Sequence, residues 1–318
     1  MNRAVLGLDT SNYRTSLAMV SENGEILLNC RELLDVPQGE RGLRQNEAVF
    51  AHLRHLNSMA DALREKAKGV SVIAVAASTS PRDGNKSYMP VFMVGASYGR
   101  LVSAALGVPF IGTTHQRGHL YAAKKGTELE QQDEFLAVHL SGGTTDLLEV
   151  RKDDVKQIGG SLDLHAGQLV DRAGVAMGLC FPAGPELERM AVQGKSKGRL
   201  GCSMSKGDLF CHFSGAEAQV CRWIQDGNYA GKEIAAEIYD LLARTVTRMI
   251  MAGAAKTGLR CVLITGGVAS SAMLREMICA RTATFRNVPK IVFGTPELSG
   301  DNAVGIALIG LKTVQEKQ

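Results

Sequence analysis

Two histidines stand four residues apart in the stretch "IGTTHQRGHLYAA" (111–123), His115 and His119. On a helix that spacing puts both imidazoles on one face, one turn apart, where they can reach a single metal ion. The same spacing also arises by chance at a helix N-terminus, so the pair needs a third ligand before it has chemical meaning. Between them, Gln116 decides a different question. A zinc protease built on His-Glu-x-x-His uses its glutamate to activate water. A glutamine cannot take up that proton, which argues against proteolysis. No Ser-His-Asp or Cys-His set offers a side-chain nucleophile instead.

Three turns at strand ends, rich in hydroxyls or glycine, carry a second kind of chemistry. "DTSNYRT" (9–15) and "LSGGTTD" (140–146) each follow an apolar strand, and their backbone N–H groups and hydroxyls suit phosphate oxygens. "TGGVASSAML" (265–274) reads as a strand end, a Gly-Gly turn and a helix start, a form that lets backbone approach a nucleotide closely. One Gly-Gly step alone more often reflects tight packing. Three such turns in this order follow the pattern of the two-lobed ATPase fold shared by actin, sugar kinases and heat-shock chaperones. The candidate phosphate contacts are Ser141, Gly142, Gly143, Gly266 and Gly267.

The elements that must aim these turns are readable from period and punctuation. "AVLGLDTS" (4–11) and "TSLAMVSE" are apolar strands around the first turn, and Asn23-Gly24 joins the second to "EILLNCREL" as a hairpin. Residues 45–68 read as a helix with Leu53, Met59 and Leu63 on one face, and "VSVIAVAAS" (70–78) as a strand. A helix over 91–106 and the strand "PFIGTT" lead to the histidines. "FLAVHLSGGTTDLLEV" (135–150) then repeats the strand–turn–strand opening, the mark of an internal repeat. Helices are expected at 164–178, 184–193, 215–225 and 231–256, then the strand "CVLITGG", a helix from Ser270, the strand "KIVFG" and a last helix at 301–316. The expected fold is α/β, two duplicated actin-like (ribonuclease-H-like) lobes with a central cleft. The first lobe is 1–133, with the C-terminal helix crossing back to it; the second is 134–318, with a helical insertion at about 164–230.

Composition narrows the class. A chain of 318 residues suits two lobes of ordinary size, and 45% hydrophobic with 21% charged residues is the balance of a soluble globular protein. A net charge of +4 is too mild to demonstrate nucleic-acid binding. Lys124-Lys125 and "KSKGR" (195–199) read first as solvated basic turns. Seven cysteines, an odd number with no CxxC pair, point to reduced thiols. No charged-then-apolar leader opens the chain, and no run nears the roughly 18 apolar residues needed to span a bilayer. A cytoplasmic protein without a membrane partner is expected.

Taken together, the motifs resemble the universal family that makes threonylcarbamoyl-adenosine in transfer RNA, once described as sialoglycoprotein endopeptidases. The resemblance runs from Leu6 to about Ile309. "HQRGH" is similar to the family's His-x-x-x-His motif, "LSGG" to its nucleotide turn, and "LDLHAGQLVDRAGVAMGLCFPAGPELERMA" (162–191) to a longer family segment. "FSG" (213–215), "GGVASSAMLR" and "GDNAVGIA" (300–307) follow in the family's order. The resemblance implies that Asp301 completes a metal site with His115 and His119, suited to Fe2+ or Zn2+ and leaving positions open for substrate. Asp301 also stands where a helix N-cap would serve the last helix. It further implies that Asp171 and Gly184 hold the adenylate ribose and that Thr144 and Ser271 line the same site. The substrate is then an adenine nucleotide or threonylcarbamoyl-adenylate. Implied partners are transfer RNA, a paralogous actin-like protein, a small P-loop ATPase and a second copy of the chain.

Departures from the family pattern are as informative. Tyr13 and Arg14 stand where the family has an acidic pair, Thr144 where it has histidine, Ser271 where it has asparagine, and Glu217 where it has lysine. Leu164 and Gln168 replace two acids, and "TSPRDGNKSYMP" (79–90) replaces a glycine-rich loop. Arg14, Arg82 and Lys86 add positive charge that compensates in part. Metal ligands are kept while substrate-facing positions differ, the pattern of a divergent paralogue. The leading expectation is transfer of threonylcarbamoyl from its adenylate to the exocyclic amine of an adenosine beside the anticodon. Two alternatives stay open: a carbamoyltransferase with a small-molecule acceptor, and a nucleotide-binding partner with little activity. A sugar-kinase-like ATPase fits least, because Asp9 has no lysine beside it to pair the phosphates.

Overall fold

β1 (Asn2–Thr10) is apolar on both of its faces, and both faces are covered. It pairs antiparallel with β2 (Arg14–Ser21), which turns at Asn23-Gly24 into β3 (Ile26–Leu33). α1 (Gln45–Lys66) then crosses to β4 (Val70–Ser80), parallel to β1, and α2 (Pro90–Leu106) crosses to β5 (Phe110–Thr114), parallel to β4. Parallel neighbours require such crossovers, and helices supply them while covering the sheet. The order is β3-β2-β1-β4-β5. Period-two alternation divides the side chains. Val5, Val20, Ala74 and Ala76 pack with Ala122 of α3 (His115–Lys124) and with Ile306 and Ala307 near the end of the chain. Leu6, Leu8, Met19 and Val75 pack with Leu56, Met59 and Val94 of α1 and α2.

The computed structural model describes residues 2–35, 43–83, 89–152 and 154–317, and Lys86 of the replaced loop lies outside them. The chain divides into two units, Met1–Lys125 with Glu297–Gln318, and Gly126–Pro296. An expectation that put 134–318 in the second lobe, with the C-terminal helix crossing back, thus meets a chain whose Glu297–Gln318 segment groups with the first unit. Among the described residues no helix is long and apolar enough to cross a membrane.

The second unit opens with the meander β6 (Glu134–Leu140), β7 (Thr145–Arg151) and β8 (Asp154–Ser161). α4 (Ala166–Ala176), α5 (Gly184–Val192), β9 (Ser203–Ser205), β10 (Phe210–His212), α6 (Ser214–Asp226) and α7 (Gly231–Thr257) follow, then β11 (Cys261–Thr265), α8 (Ala272–Thr282) and β12 (Lys290–Phe293). The sheet order is β12-β11-β6-β7-β8-β10-β9. Its members β8-β7-β6-β11-β12 have the same strand directions as β3-β2-β1-β4-β5 in the first unit. The sequence similarity at 135–150 is therefore a repeat of topology. β9 and β10 are the difference: they form a hairpin inside the segment expected to be helical, and strands of three residues are too short to show a period.

α7 runs through the core of the second unit and carries two buried carboxylates. Burying an unpartnered charge costs several kcal/mol, and both are satisfied. Glu237 accepts the backbone N–H groups of Lys197 (2.6 Å), Arg199 (2.8 Å) and Leu200 (3.3 Å), which pins the "KSKGR" turn. Asp240 pairs with Arg244 at 2.8 Å and with Arg281.

Two helix starts differ from expectation. The helix expected from Ser270 is a 3-10 turn, Val268–Ser270, followed by α8, whose N-cap Ser271 accepts the Leu274 N–H at 3.1 Å. The Ser271→Ala variant is expected to lose about 1 kcal/mol in urea denaturation. After the short α9 (Pro296–Ser299), the last helix is α10 (Val304–Gln315), not 301–316. Its N-cap position is Ala303, and Asn302 Oδ1 accepts the Val304 N–H at 3.0 Å. Asp301 is therefore no helix cap, and its carboxylate is directed elsewhere.

Candidate metal centre and phosphate turns

α3 begins at His115 itself, because Thr114 closes β5 and accepts the Arg117 N–H on its hydroxyl at 3.3 Å. His119 follows one turn later on the same face, and the two Nε2 atoms are 3.0 Å apart. Asp301 Oδ1 lies 3.1 Å from His119 Nε2 and 3.8 Å from His115 Nε2. The three ligand atoms lie within 4.8 Å of one another.

Backbone proximity brings Asp301 there. A Cβ on Gly305 of α10 would sit 1.8 Å from the carbonyl oxygen of Gly118, and one on Gly118 would sit 2.5 Å from Ile306 Cδ1. The missing Cβ of Gly305 lets α3 and α10 cross backbone to backbone, and Gly118 leaves room for the Ile306 side chain. Asp301, just ahead of α10, is thereby held against the face that carries both histidines.

A shell of hydrogen bonds orients the three. Asp9, 1% exposed at the end of β1, sits 2.7 Å from His115 Nδ1 and accepts from the Ser78 hydroxyl on its other oxygen. A carboxylate can only accept, so His115 donates from Nδ1 and turns Nε2 toward Asp301 and His119. Ser11 donates its hydroxyl to Asp301 Oδ2 at 2.5 Å, and Arg14 donates from Nη1 to the Asp301 carbonyl at 3.3 Å. Burial opposes charge on His115, but the Asp9 and Asp301 carboxylates outweigh it and push the imidazole up to about 9. Burial likewise opposes ionisation of Asp301, yet the two histidines and Ser11 hold its carboxyl well below the usual range. The cluster is thus built to gather positive charge, as a proton or as a metal ion. Sequence reasoning missed Asp9 as an orienting group; a lone acid inside the apolar run "AVLGLDTS" was the available signal.

Of the three turns, 9–15 lies in the first unit, where Asp9, Ser11 and Arg14 contact His115 and Asp301, while 140–146 and 265–274 belong to the second. Between β6 and β7, the Ser141 N–H donates to the Thr144 carbonyl at 2.8 Å, which leaves Gly142 and Gly143 exposed at the tip. The start of α4 packs directly beneath: Gly167 N–H donates to Ser141 O at 3.2 Å, and Ala166 N–H to the Thr145 hydroxyl at 2.8 Å. Gly266, with φ +106°, abuts the same strand end, since a Cβ there would lie 2.2 Å from Leu140 O. Ser141, Gly142, Gly143 and Gly266 therefore come together, with Gly267 next in the chain and Ser271 at the cap of α8.

Asp171 and Gly184 also meet. Asp171 accepts the Ala183 N–H at 2.9 Å, at the entry to α5, and burial pushes its carboxyl up against the lowering effect of the Ala183 and Gly184 N–H groups. Tyr239 donates to Gly184 O at 3.1 Å. The Glu217 carboxylate, expected as a reversed charge facing phosphate, pairs with Arg172 at 3.0 Å and is neutralised there.

Asp163 is a further structural carboxylate that the sequence did not announce. It accepts from Phe213 N–H (2.8 Å), Ser214 N–H (3.2 Å) and the Ser214 hydroxyl (2.5 Å), tying the approach to α4 to the start of α6. Burial raises its carboxyl, but these donors prevail and bring it down to about 2. A depressed folded-state value contributes stability that is complete above the unfolded value of about 3.9 and fades as pH falls from there toward 2. Because Asp163 is at the surface, screening limits this to about 1 kcal/mol. Asp163→Asn should flatten the stability profile between pH 4 and about 2, as read by urea denaturation at each pH.

The sequence profile of the family described as tRNA N6-adenosine threonylcarbamoyltransferase matches residues 39–308. A curated protein of that name from Corynebacterium aurimucosum is 28% identical over 334 residues, covering 98% of this chain and 92% of its own. One from Methanopyrus kandleri is 29% identical over 315 residues, covering 96% and 86%. Among solved structures, HypF of T. kodakarensis superimposes with a TM-score of 0.65 at 14% identity, over 99% of this chain and 48% of HypF, so the chain spans about half of that protein. A ROK family glucokinase from Streptomyces griseus, in complex with glucose and AMPPNP, gives 0.55 at 12% identity over 96% and 98%. At such identities the likeness concerns the fold alone, the actin-like ATPase fold expected from the three turns. With a profile match across most of its length and relatives that align nearly end to end, the chain belongs to the tRNA N6-adenosine threonylcarbamoyltransferase family.

Proposed function

We propose that the chain moves a threonylcarbamoyl group from its adenylate to the exocyclic amine of an adenosine beside the anticodon of transfer RNA, and that His115, His119 and Asp301 hold Fe2+ or Zn2+ for that purpose. The observation that carries this reading is the convergence of two imidazole nitrogens and a carboxylate in a chain of this family. That mixed nitrogen and oxygen set fits either ion and leaves coordination positions open. When bound, the metal supplies Lewis acidity toward the carbamoyl oxygen. Asp9 fixes the His115 ring so that Nε2 faces the ion, and Ser11 holds the Asp301 carboxylate. Gly142, Gly143, Gly266 and Gly267 offer backbone N–H groups to the adenylate phosphate and Ser141 its hydroxyl, with Asp171 and Gly184 toward the ribose and Thr144 and Ser271 alongside. As the amine attacks the carbonyl carbon, the bond from that carbon to the phosphate oxygen breaks, AMP leaves, and the nitrogen releases one proton to water. No side-chain nucleophile takes part.

The direct test incubates the chain, Fe2+ or Zn2+ and threonylcarbamoyl-adenylate with transfer RNA that carries the unmodified adenosine, and analyses the nucleosides by mass. Metal-dependent appearance of the modified nucleoside is expected. Its absence with both metals, or no calorimetric binding of ATP, ADP or AMP, would overturn the reading. In a cell that lacks the standard transferase, the chain is expected to complement poorly, because Arg14 brings a positive charge to Asp301 where relatives of the expected pattern carry an acid. Restoring Tyr13→Asp with Arg14→Glu should improve growth in that assay.

Assembly partners follow the same reading. Phe50 on α1 and Leu101 on α2 are 65% and 72% exposed, single apolar side chains of the kind that contact with a paralogous actin-like protein or a second copy would cover. A small P-loop ATPase completes the set that the family implies.

A further inference from the structure

Of the seven cysteines, Cys202 and Cys211 stand apart because they lie beside each other. The β9–β10 hairpin brings this about. His212 pairs with Ser203 and Cys211 with Met204. Paired residues in an antiparallel ladder share a face, and residues two apart along a strand share it as well. Cys202 stands one residue before β9, and its thiol donates to the His212 carbonyl at 3.5 Å, which sets it against β10 and diagonal to Cys211. Cys211 is fully buried and Cys202 half-buried, so of the two only Cys202 is in part open to solvent. We propose that Cys202 and Cys211 form a reactive dithiol, in which a hydroperoxide oxidises Cys202 and Cys211 resolves the product to an intramolecular disulfide.

The surroundings divide the two roles. Contact with the Cys211 side chain lowers the Cys202 thiol to about 7; burial opposes, and the buried Thr245 hydroxyl of α7 assists. The same contact and burial push the Cys211 thiol up. Burial also raises the thiols of Cys30 and Cys279, which leaves them weaker nucleophiles. At neutral pH the Cys202 thiolate attacks the peroxide O–O bond, forming a sulfenic acid and releasing the alcohol, or water from hydrogen peroxide. The Cys211 sulfur then attacks the sulfenic sulfur, the S–O bond breaks, and the hydroxide leaves as water with the Cys211 proton. Two thiols lose two electrons in all, and the peroxide gains them.

Closure needs the two Cα atoms within about 4.4–6.8 Å. Diagonal positions on a hairpin start near 7–8 Å, so Cys202 must move toward Cys211 by about 1–2 Å. It can do so because it lies outside β9 and next to Gly201, around which even an added Cβ would touch nothing within 4 Å.

The test uses the whole chain, treated with one equivalent of hydrogen peroxide at pH 7, alkylated and mapped by peptide mass. A Cys202–Cys211 cross-linked peptide, two hydrogens lighter and restored by dithiothreitol, is expected before any other cysteine changes. With Cys211→Ala, a sulfenic acid at Cys202 should accumulate and be trapped by dimedone. If that buried substitution unfolds the chain, Cys202→Ser at the half-buried position should instead leave Cys211 fully alkylatable when the peroxide-treated chain is denatured. A disulfide-reagent titration adds a rate: Cys202 is expected to react faster than Cys30 or Cys279, whose thiols burial pushes up. Oxidation of Cys180 first with Cys202 and Cys211 intact, or progression of Cys202 to sulfinic acid without bridging, would overturn the proposal.

Discussion

Asp301→Asn is expected to lower affinity for Fe2+ or Zn2+ by roughly a thousandfold, in competition against a chromophoric chelator. The substitution keeps an acceptor for the Ser11 hydroxyl, so the local fold should survive while the anionic ligand is lost. Asp9→Asn, which touches only His115 Nδ1 and Ser78, should cost less, about ten- to a hundredfold, as orienting groups around metal sites do. Equal losses in the two variants would sink the assignment of Asp301 as a ligand. The metal-free protein adds a signed check. His115 is raised from an ordinary value near 6.5 to about 9. It therefore contributes stability that is complete below pH 6.5 and lost as pH rises through 9. Metal must displace that proton, so affinity should climb with pH up to about 9 and then level. Asp301→Asn removes one of the two carboxylates that hold the proton, and the climb should end at lower pH.

Gly305→Ala is expected to be the most disruptive single methyl in the first unit. The new Cβ would meet Gly118 O at 1.8 Å and Ala122 N at 2.7 Å, both backbone atoms that no side-chain rotation can clear. Overpacking of this kind costs about 3 kcal/mol or more, and relief requires α10 to back away from α3. Asp301 would move with it, so metal affinity should fall at least a hundredfold with all three ligands still present. Gly118→Ala is the control. Its nearest clash is the far methyl of Ile306 at 2.5 Å, which can turn aside, and alanine favours the helix by about 1 kcal/mol. That variant should lie within about 1 kcal/mol of the parent in urea denaturation and keep its metal. If the two alanines behave alike, the crossing does not set the site.

The two histidines were legible because their relation is local: four residues on one helix is a spacing any reader can count. Asp301 was not legible in that way. It meets Ser11 across 290 residues of sequence, and only resemblance to a family connected it to His115 and His119. Its apparent role as a helix cap illustrates the limit of local reading, since Asp301 and Asn302 suit a cap equally well and the structure gives that work to Asn302. Strands and long helices were placed well by alternation and period, while β9 and β10 were lost because three residues carry neither. Asp163 and Glu237 escaped for a related reason: each satisfies backbone N–H groups of a distant loop, and nothing near them in the sequence records the debt of those groups.

The order in which the ribosome delivers the parts has its own consequence. Asp301 follows Ser11 by 290 residues, roughly 15–60 s at 5–20 residues per second. During that interval the growing chain carries β1, β2 and β4 but not Ile306, Ala307 and Leu311, which cover one face of their sheet. Domains usually fold in the order they are made; here the first-made unit stays open until the later one has been synthesised. The nascent chain thus exposes an apolar sheet face to chaperones while Gly126–Pro296 is being translated. A three-ligand site cannot exist before that point, so metal loading is confined to chains that have already grown past Asp301.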